Sequence, residues 1–190
     1  MQLKSFMQAA FIASALTCIV PAQAAAVAVT FPSSAASVTG SVGFLSPTEI
    51  GFFWSVARGD QVSETYASTG LFGATDLSLD LTVVQNVLAS GFSVDWDVLV
   101  NGVDVGDWTV ASSDGTGTST LNFSFAAIAG EFSSLALKVK NEVPGGAGSI
   151  SLGIGTEARI SSAATVPVPG SLALAGLGLV GLAALGRRRA

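Results

Sequence analysis

A β-hairpin is the feature of this sequence that most constrains its fold. Apolar residues occupy every second position along 92–100, and Asn101-Gly102 separates that run from a second run at 103–110. An Asn-Gly pair favours a two-residue type I′ turn, because both central residues of that turn need a positive φ. Gly106 is placed to bulge or bend the returning strand. The pattern therefore predicts antiparallel sheet in the middle of the chain.

Further strands are expected on both sides of this hairpin. The clearest is 76–83, where Leu or Val alternates with Asp, Ser or Thr, the period-two pattern of a half-buried strand. The apolar run at 50–57 suits a strand buried on both faces, and 61–67 is expected to pair back onto it across Arg58-Gly59-Asp60. A short helical turn fits within 82–90. The other predicted strands are 27–31, 37–44, 116–125, 135–140, 149–154 and 158–162.

The strand count determines the predicted fold class. About nine or ten short strands, separated by Gly- and Ser-rich loops, predict an all-β fold built as an antiparallel β-sandwich. A jelly-roll-like arrangement is favoured by analogy, since an Asn-Gly hairpin followed by two long alternating strands is frequent in sugar-binding jelly rolls. We expect this sandwich to occupy 25–163.

The N-terminus has the three parts of a secretory signal peptide. Lys4 precedes an apolar stretch at 9–20, and Ala22 and Ala24 form a small-residue A-x-A cleavage site. The apolar stretch is shorter than a membrane span, which argues against a retained anchor. The sequence therefore predicts a signal helix over 1–24, removed by signal peptidase after Ala24.

The C-terminus also has three parts. A proline motif, an apolar run and a basic cluster follow one another: Val166-Pro167-Val168-Pro169, then 171–186, then Arg187, Arg188 and Arg189. As a helix the apolar run would span about 24 Å, which is short for a hydrocarbon core of about 30 Å. Snorkelling arginines and local thinning compensate for the difference. The arginines should stay cytoplasmic, which predicts a transmembrane helix with the body across the inner membrane. A plain C-terminal anchor is the alternative.

This order of motif, short span and basic cluster resembles the PEP-CTERM sorting signal of Gram-negative bacteria. That signal usually has the sequence Val-Pro-Glu-Pro, and Val168 occupies the glutamate position here, as in a looser class of variants. The resemblance covers 164–190. It implies transient anchoring in the inner membrane, processing by an exosortase-type enzyme, and a final place at the cell surface or outside the cell. It also implies an association with exopolysaccharide and biofilm.

The composition of the body excludes several functions. All 13 acidic residues lie in 25–163, a segment with a net charge of −9 and with only four basic residues: Arg58, Lys138, Lys140 and Arg159. Such a body lacks the basic footprint of a nucleic-acid-binding protein. The chain has no histidine, and its one cysteine, Cys18, lies in the predicted signal peptide. The commonest general base and transition-metal ligand are therefore missing, and we expect no enzyme.

A group of aspartates is the strongest candidate site. Alternation places Asp95 and Asp97 on one face of a strand, opposite Trp96, while Asp104 and Asp107 lie on the partner strand. This pattern fits a calcium site, the carboxylate pair of a glycoside hydrolase, or a solvated polar face. The last interpretation is favoured, because alternation alone produces it. We therefore expect no cofactor, with calcium as the one possible exception.

Aromatic residues raise the possibility of a sugar-stacking platform. Alternation indicates that Trp96 is buried, whereas Trp108 is the first candidate for an exposed stacking residue. The other aromatics considered are Trp54 and Tyr66, and 114–117 is interpreted as a surface turn. Two functions follow: a non-enzymatic protein of the cell surface or matrix, and, as the alternative, a carbohydrate-binding β-sandwich module.

Overall fold

The computed structural model describes residues 25–53 and 55–163, and Ala25–Ala163 form one compact unit. Every regular element of this part is a β-strand. The strands are β1 (Ala26–Thr30), β2 (Ser37–Thr39), β3 (Val42–Ser46), β4 (Glu49–Phe53), β5 (Gln61–Thr65), β6 (Ala74–Asn86), β7 (Ser93–Val100), β8 (Val103–Ala111), β9 (Gly117–Ser124), β10 (Ser134–Val139), β11 (Ser149–Gly153) and β12 (Glu157–Ser162). Over these residues there is no helix of the length and hydropathy that a membrane crossing requires. The predicted signal peptide, the predicted sorting tail and Trp54 lie outside the described residues.

The strands form two antiparallel sheets, which confirms the all-β antiparallel prediction. Sheet A has the order β1-β12-β6-β11-β4-β3, with β9 paired to the other edge of β6. Sheet B has the order β2-β5-β10-β7-β8. The long strand β6 organises sheet A, because β12 pairs with its first half and β11 with its second half.

The two sheets pack face to face around one apolar core. Leu77, Leu79 and Leu81 of β6 are all buried, as their alternation predicts, and their polar neighbours face outward. In sheet B, Trp96 is fully buried. Its ring meets Phe52 of sheet A edge to face, with centroids 5.3 Å apart. These contacts define a β-sandwich.

The predicted hairpin is confirmed as β7 and β8. Asn101 and Gly102 have φ values of +50° and +77°, the positive values that a type I′ turn requires. The Asn101 side chain fixes the turn to the start of β10, since its Oδ1 accepts hydrogen bonds from the Ser133 and Ser134 amides. The predicted bulge is also present. Val98 pairs with Gly106 and Leu99 with Asp104, which leaves Val105 without a partner on β7.

Gly106 is expected to be sensitive to substitution. A Cβ at this position would overlap the ring of Phe123 in β9, closer than van der Waals contact allows. We expect Gly106→Ala to lower the free energy of unfolding by about 1–3 kcal/mol, the usual effect of overpacking. Urea denaturation of residues 25–163 measures the effect. Gly115→Ala is the matched control, because a Cβ there meets nothing within 4 Å, and equal midpoints for the two variants would contradict the account.

The prediction of one strand over 37–44 is wrong, because this segment forms two strands that belong to different sheets. Gly40 has a φ of +72° and divides β2, which pairs with β5, from β3, which pairs with β4. The buried carboxylate of Asp60 secures this crossing by accepting hydrogen bonds from the amides of Ser41 and Ala57. A side chain at position 40 would occupy the space of that carboxylate.

Two further expectations are wrong. The segment 61–67 does not pair back onto the strand before it: β5 lies in sheet B, between β2 and β10. The helical turn within 82–90 is absent, because β6 continues to Asn86, where it pairs with Ile150 of β11. Both errors have one cause, since partners distant in sequence decide the pairing.

Candidate functional site

Carboxylates cluster on the outer face of sheet B. Asp95 and Asp97 lie on the opposite face of β7 from Trp96, as alternation predicts. Asp97 pairs with Asp107 of β8 in the strand ladder, and Asp104 follows across the bulge. Carboxylate oxygens of Asp97, Asp104 and Asp107 all lie within 4.8 Å of one another. We call these three residues the acidic triad.

Lys140 stands beside the acidic triad, directly after β10. Its Nζ lies 2.7 Å from Asp107 Oδ1 and 3.4 Å from Asp97 Oδ1. The hydrogen bond to Asp107 raises the pKa of Lys140 above its ordinary value. The triad offers the oxygen ligands that calcium prefers. The ammonium group of Lys140 already offsets part of the negative charge of the triad.

Asp95 does not join the triad. Its Oδ1 accepts a hydrogen bond of 3.2 Å from the Ser93 hydroxyl, and its backbone amide donates to Asn141 Oδ1 at 3.0 Å. The structure therefore combines Asp97 with the two aspartates of β8. The sequence grouped Asp97 with Asp95 and allowed Asp104 and Asp107 to join them from the partner strand. It did not separate Asp95 from the group, because alternation relates residues of one strand and does not show which side chains of a neighbouring strand approach.

The Lys140 ion pairs predict a pH dependence of stability. Because the folded pKa of Lys140 is raised, its contribution is fully present below the unfolded pKa of about 10.5 and is lost as pH rises through the folded pKa. We expect Lys140→Gln to lower the thermal midpoint at pH 7, with a difference from the unmodified protein that shrinks above pH 10.5. Calorimetry between pH 7 and pH 12 tests this. Lys138→Gln is the matched control, since Lys138 forms no ion pair within the described residues, and a constant Lys140 difference would contradict the prediction.

The expectation that Trp108 is an exposed stacking residue is wrong, because Trp108 belongs to the core. Only 7% of its surface is exposed, and its ring stacks on Trp96 with centroids 4.7 Å apart. The reason is the bulge at Val105: one extra residue reverses which side chains of β8 face inward. Trp108 therefore lies opposite Trp96, and both rings fill the space between the sheets.

The side chain of Tyr66 also packs and hydrogen-bonds within the body. It stacks on Phe132 with centroids 5.4 Å apart, and its hydroxyl donates a 2.9 Å hydrogen bond to the Thr30 carbonyl. Burial raises the pKa of that hydroxyl. Together with the burial of Trp96 and Trp108, this means that these three candidate aromatics form no exposed platform for stacking sugars.

A cleft lies between β8 and β9, where the two sheets meet at their edges. Its volume is about 440 Å³, and it is lined by Trp108, Thr109, Val110, Val83 and residues 113–119. The loop beside it is ordered by Asp114, whose Oδ2 accepts from the Ala111 amide at 2.8 Å, and by Asn86, which donates to the Asp114 carbonyl at 3.0 Å. Sequence reasoning missed the cleft because its walls come from different sheets.

Comparison with solved structures gives distant likenesses. The CBM36-1 domain of a multidomain xylanase, from the hindgut metagenome of Trinervitermes trinervoides, is 16% identical, with a TM-score of 0.43 over 73% of this chain and 98% of that chain. The C-terminal CBM6 of LamC, a marine laminarinase of Zobellia galactanivorans, is 12% identical, with a TM-score of 0.41 over 73% of this chain and 100% of that chain. No curated protein sequence matches the chain.

The comparison with family models is specific. The model described as the PEP-CTERM protein-sorting motif matches residues 165–189. The matched segment contains the proline motif, the apolar run and the three arginines. The prediction of a PEP-CTERM sorting signal is thereby confirmed.

Proposed function

We propose that this protein is an exported, non-enzymatic surface protein that is sorted by its PEP-CTERM tail and retained in the exopolysaccharide layer. The observation that carries the proposal is the match of residues 165–189 to the sorting motif. Signal peptidase removes 1–24, and the apolar run 171–186 holds the chain in the inner membrane with its body on the periplasmic side. An exosortase-type enzyme then processes the tail.

The surface of the body suits a hydrated polymer layer. Sheet A presents cross-strand hydrogen bonds between carboxylates and hydroxyls on its outer face: Ser124 donates to Asp76 at 2.7 Å, and Thr120 donates to Asp80 at 2.6 Å. Sheet B presents the acidic triad. A body with a net charge of −9 stays soluble and repels other polyanions, so retention by neutral or cation-bridged polysaccharide is the mode that its charge favours.

A role without catalysis fits the arrangement of the titratable groups. The carboxylates of Asp104 and Asp107 stand exposed on an open sheet face, and Lys140 forms an ion pair with Asp107. Catalytic carboxylates are usually placed in sites that exclude water, where their pKa values are tuned. The mature chain also has no histidine or cysteine to serve as a base or nucleophile.

Truncation of the tail tests this proposal. A chain that ends at Ala163 keeps the whole compact body, so we expect it to fold and to leave the cell envelope as a soluble exported protein. The full-length chain is expected in the inner membrane and at the surface. Fractionation of cells followed by immunodetection distinguishes the two. If the truncated chain distributes as the full chain does, the tail has no sorting role and the proposal fails.

The cleft between β8 and β9 favours a second candidate, a carbohydrate-binding module. Its volume of about 440 Å³ lies within the usual range for small-ligand sites. The cleft is lined by serine and threonine hydroxyl groups and by the indole of Trp108, and these groups suit a sugar. Calorimetric titration of residues 25–163 with neutral and acidic oligosaccharides tests it. Thr116→Trp, at the cleft, should abolish any binding, and Ala67→Trp, in an exposed loop, should leave it unchanged. Absence of binding to every saccharide would remove this candidate.

A further inference from the structure

Strand β9 is an edge of sheet A that pairs on one side. In the described sheets its partner is β6 alone, and the ladder covers all eight of its residues without a bulge. The ladder continues one residue further, where the Phe125 amide donates to the Thr75 carbonyl at 2.8 Å. Backbone groups along an antiparallel strand point alternately toward one neighbour and away from it. This bond therefore fixes which residues of β9 turn their backbone groups toward β6.

The alternation leaves the amides and carbonyls of four residues pointing away from β6: Thr118, Thr120, Asn122 and Ser124. All four residues are exposed, and no hydrogen bond from elsewhere in the described chain reaches these backbone groups. Their side chains do not cap them, because those of Thr118, Thr120 and Ser124 hydrogen-bond to β6. The free side of β9 is thus a row of unpaired donors and acceptors.

The other edges of the described sheets carry features that discourage pairing with another chain, such as short length, bulges and charges. β2 has three residues, and β3 has five residues with an irregular register. β8 combines a bulge with Asp104 and Asp107. In β1, which has five residues, the Tyr66 hydroxyl occupies the carbonyl of Thr30. β9 has none of these features, and 115–130 contains no charged residue.

We propose that β9 pairs antiparallel with β9 of a second copy of this protein, about a twofold axis at Leu121. In this register Thr118 lies opposite Ser124 of the second copy, and Thr120 lies opposite Asn122, so all four outward-facing residues find partners. Each such pair exchanges two backbone hydrogen bonds, about eight in total. Leu121 meets its own counterpart in a pair without backbone hydrogen bonds, where side chains come closest. Sheet A then continues from one copy into the other.

Charge distribution favours this edge for self-association. Each body has a net charge of −9, so two copies repel each other over most of their surface, and salt screens that repulsion. β9 brings no charge to the contact. A single strand edge buries less area than a standard interface, so we expect a weak dimer with a Kd on the order of 100 µM. The dimer should tighten as the salt concentration rises.

Sedimentation equilibrium of residues 25–163, which form one compact unit, tests the association. Samples cover about 5 to 500 µM at low and high NaCl. Asn122→Pro removes an outward-facing amide and places a ring at the contact, a change that an edge strand tolerates. We expect it to weaken the dimer at least about tenfold.

Ala28→Pro is the matched control for this substitution. The Ser162 amide donates to the Ala25 carbonyl, so the amide of Ala28 also points outward, on the free side of β1. The dimer of this variant should equal that of the unmodified protein. A monomer at every concentration and salt level would overturn the proposal and leave β9 to an extended segment of a different protein. A dimer that Asn122→Pro leaves unchanged, or that Ala28→Pro weakens equally, would also overturn it.

Disulfide formation tests the register. Residues 25–163 contain no cysteine, so Leu121→Cys supplies one thiol per copy, and the twofold axis brings the two thiols within bonding distance. Ser119→Cys is the control, because position 119 lies opposite Phe123 of the second copy. We expect oxidation to link Leu121→Cys at least about tenfold faster than Ser119→Cys. Equal rates would contradict the proposed pairing. The association does not involve the sorting tail, so its failure would leave the proposed function untouched.

Discussion

Trp96→Ala is expected to lower the free energy of unfolding by about 3–5 kcal/mol, as truncation of a fully buried tryptophan does. Trp96 has no exposed surface and lies between Phe52 of the facing sheet and Trp108 of the neighbouring strand. The alanine variant leaves a cavity where the two sheets meet. Urea denaturation of residues 25–163, followed by tryptophan fluorescence and circular dichroism, measures the loss.

Trp96→Phe is the matched control for this prediction. The indole N–H of Trp96 is buried and has no hydrogen-bond partner within the described residues, and a phenyl ring removes that unsatisfied donor while filling most of the space. We expect the phenylalanine variant to lose less than about 1.5 kcal/mol. Equal losses in the two variants would show that the ring volume between the sheets is not what stabilises the sandwich.

The double substitution Pro167→Ala with Pro169→Ala is expected to trap the protein in the inner membrane with its tail attached. The family match covers both prolines, and alanine has neither the ring-restricted φ of proline nor its lack of an amide donor. We expect at least about a tenfold fall in the surface fraction, the scale on which loss of one well-made recognition contact changes a rate. Quantitative immunodetection in the membrane and extracellular fractions measures it.

Val168→Glu is the matched variant in the same motif. It introduces the glutamate that the sorting signal usually has at this position, so processing should proceed at least as fast as in the unmodified chain. If the double-proline variant reaches the surface normally, or if Val168→Glu blocks processing, recognition does not depend on the motif as described.

The parts of the fold that sequence predicted are the local ones. The Asn101-Gly102 hairpin depends on two adjacent residues with positive φ, and the buried face of β6 depends on alternation within one strand. The division of 37–44 between two sheets depends on the carboxylate of Asp60, which is distant in sequence and occupies the space beside Gly40. No periodicity carries that information.

The candidate site also combines local features, which the sequence predicted, with features that depend on pairing between strands, which it did not predict. Alternation predicted that Asp95 and Asp97 share a face, and the hairpin placed Asp104 and Asp107 on the partner strand. The approach of Lys140 was not predicted, because it depends on the pairing of β10 with β7. One bulge residue, Val105, also reversed the expected orientation of Trp108. Glycine at position 106 was the available signal for that bulge, although the sequence did not fix which residue is the extra one.

The most direct test of the central claim is the intact mass of the native protein isolated from each cell fraction. The account predicts an extracellular or surface form that begins at Ala25 and lacks the tail beyond about Pro169, and a minor inner-membrane form that begins at Ala25 and retains the tail. A single inner-membrane form that keeps 171–186 and the three arginines would contradict sorting. It would mean that the C-terminal segment is a permanent anchor.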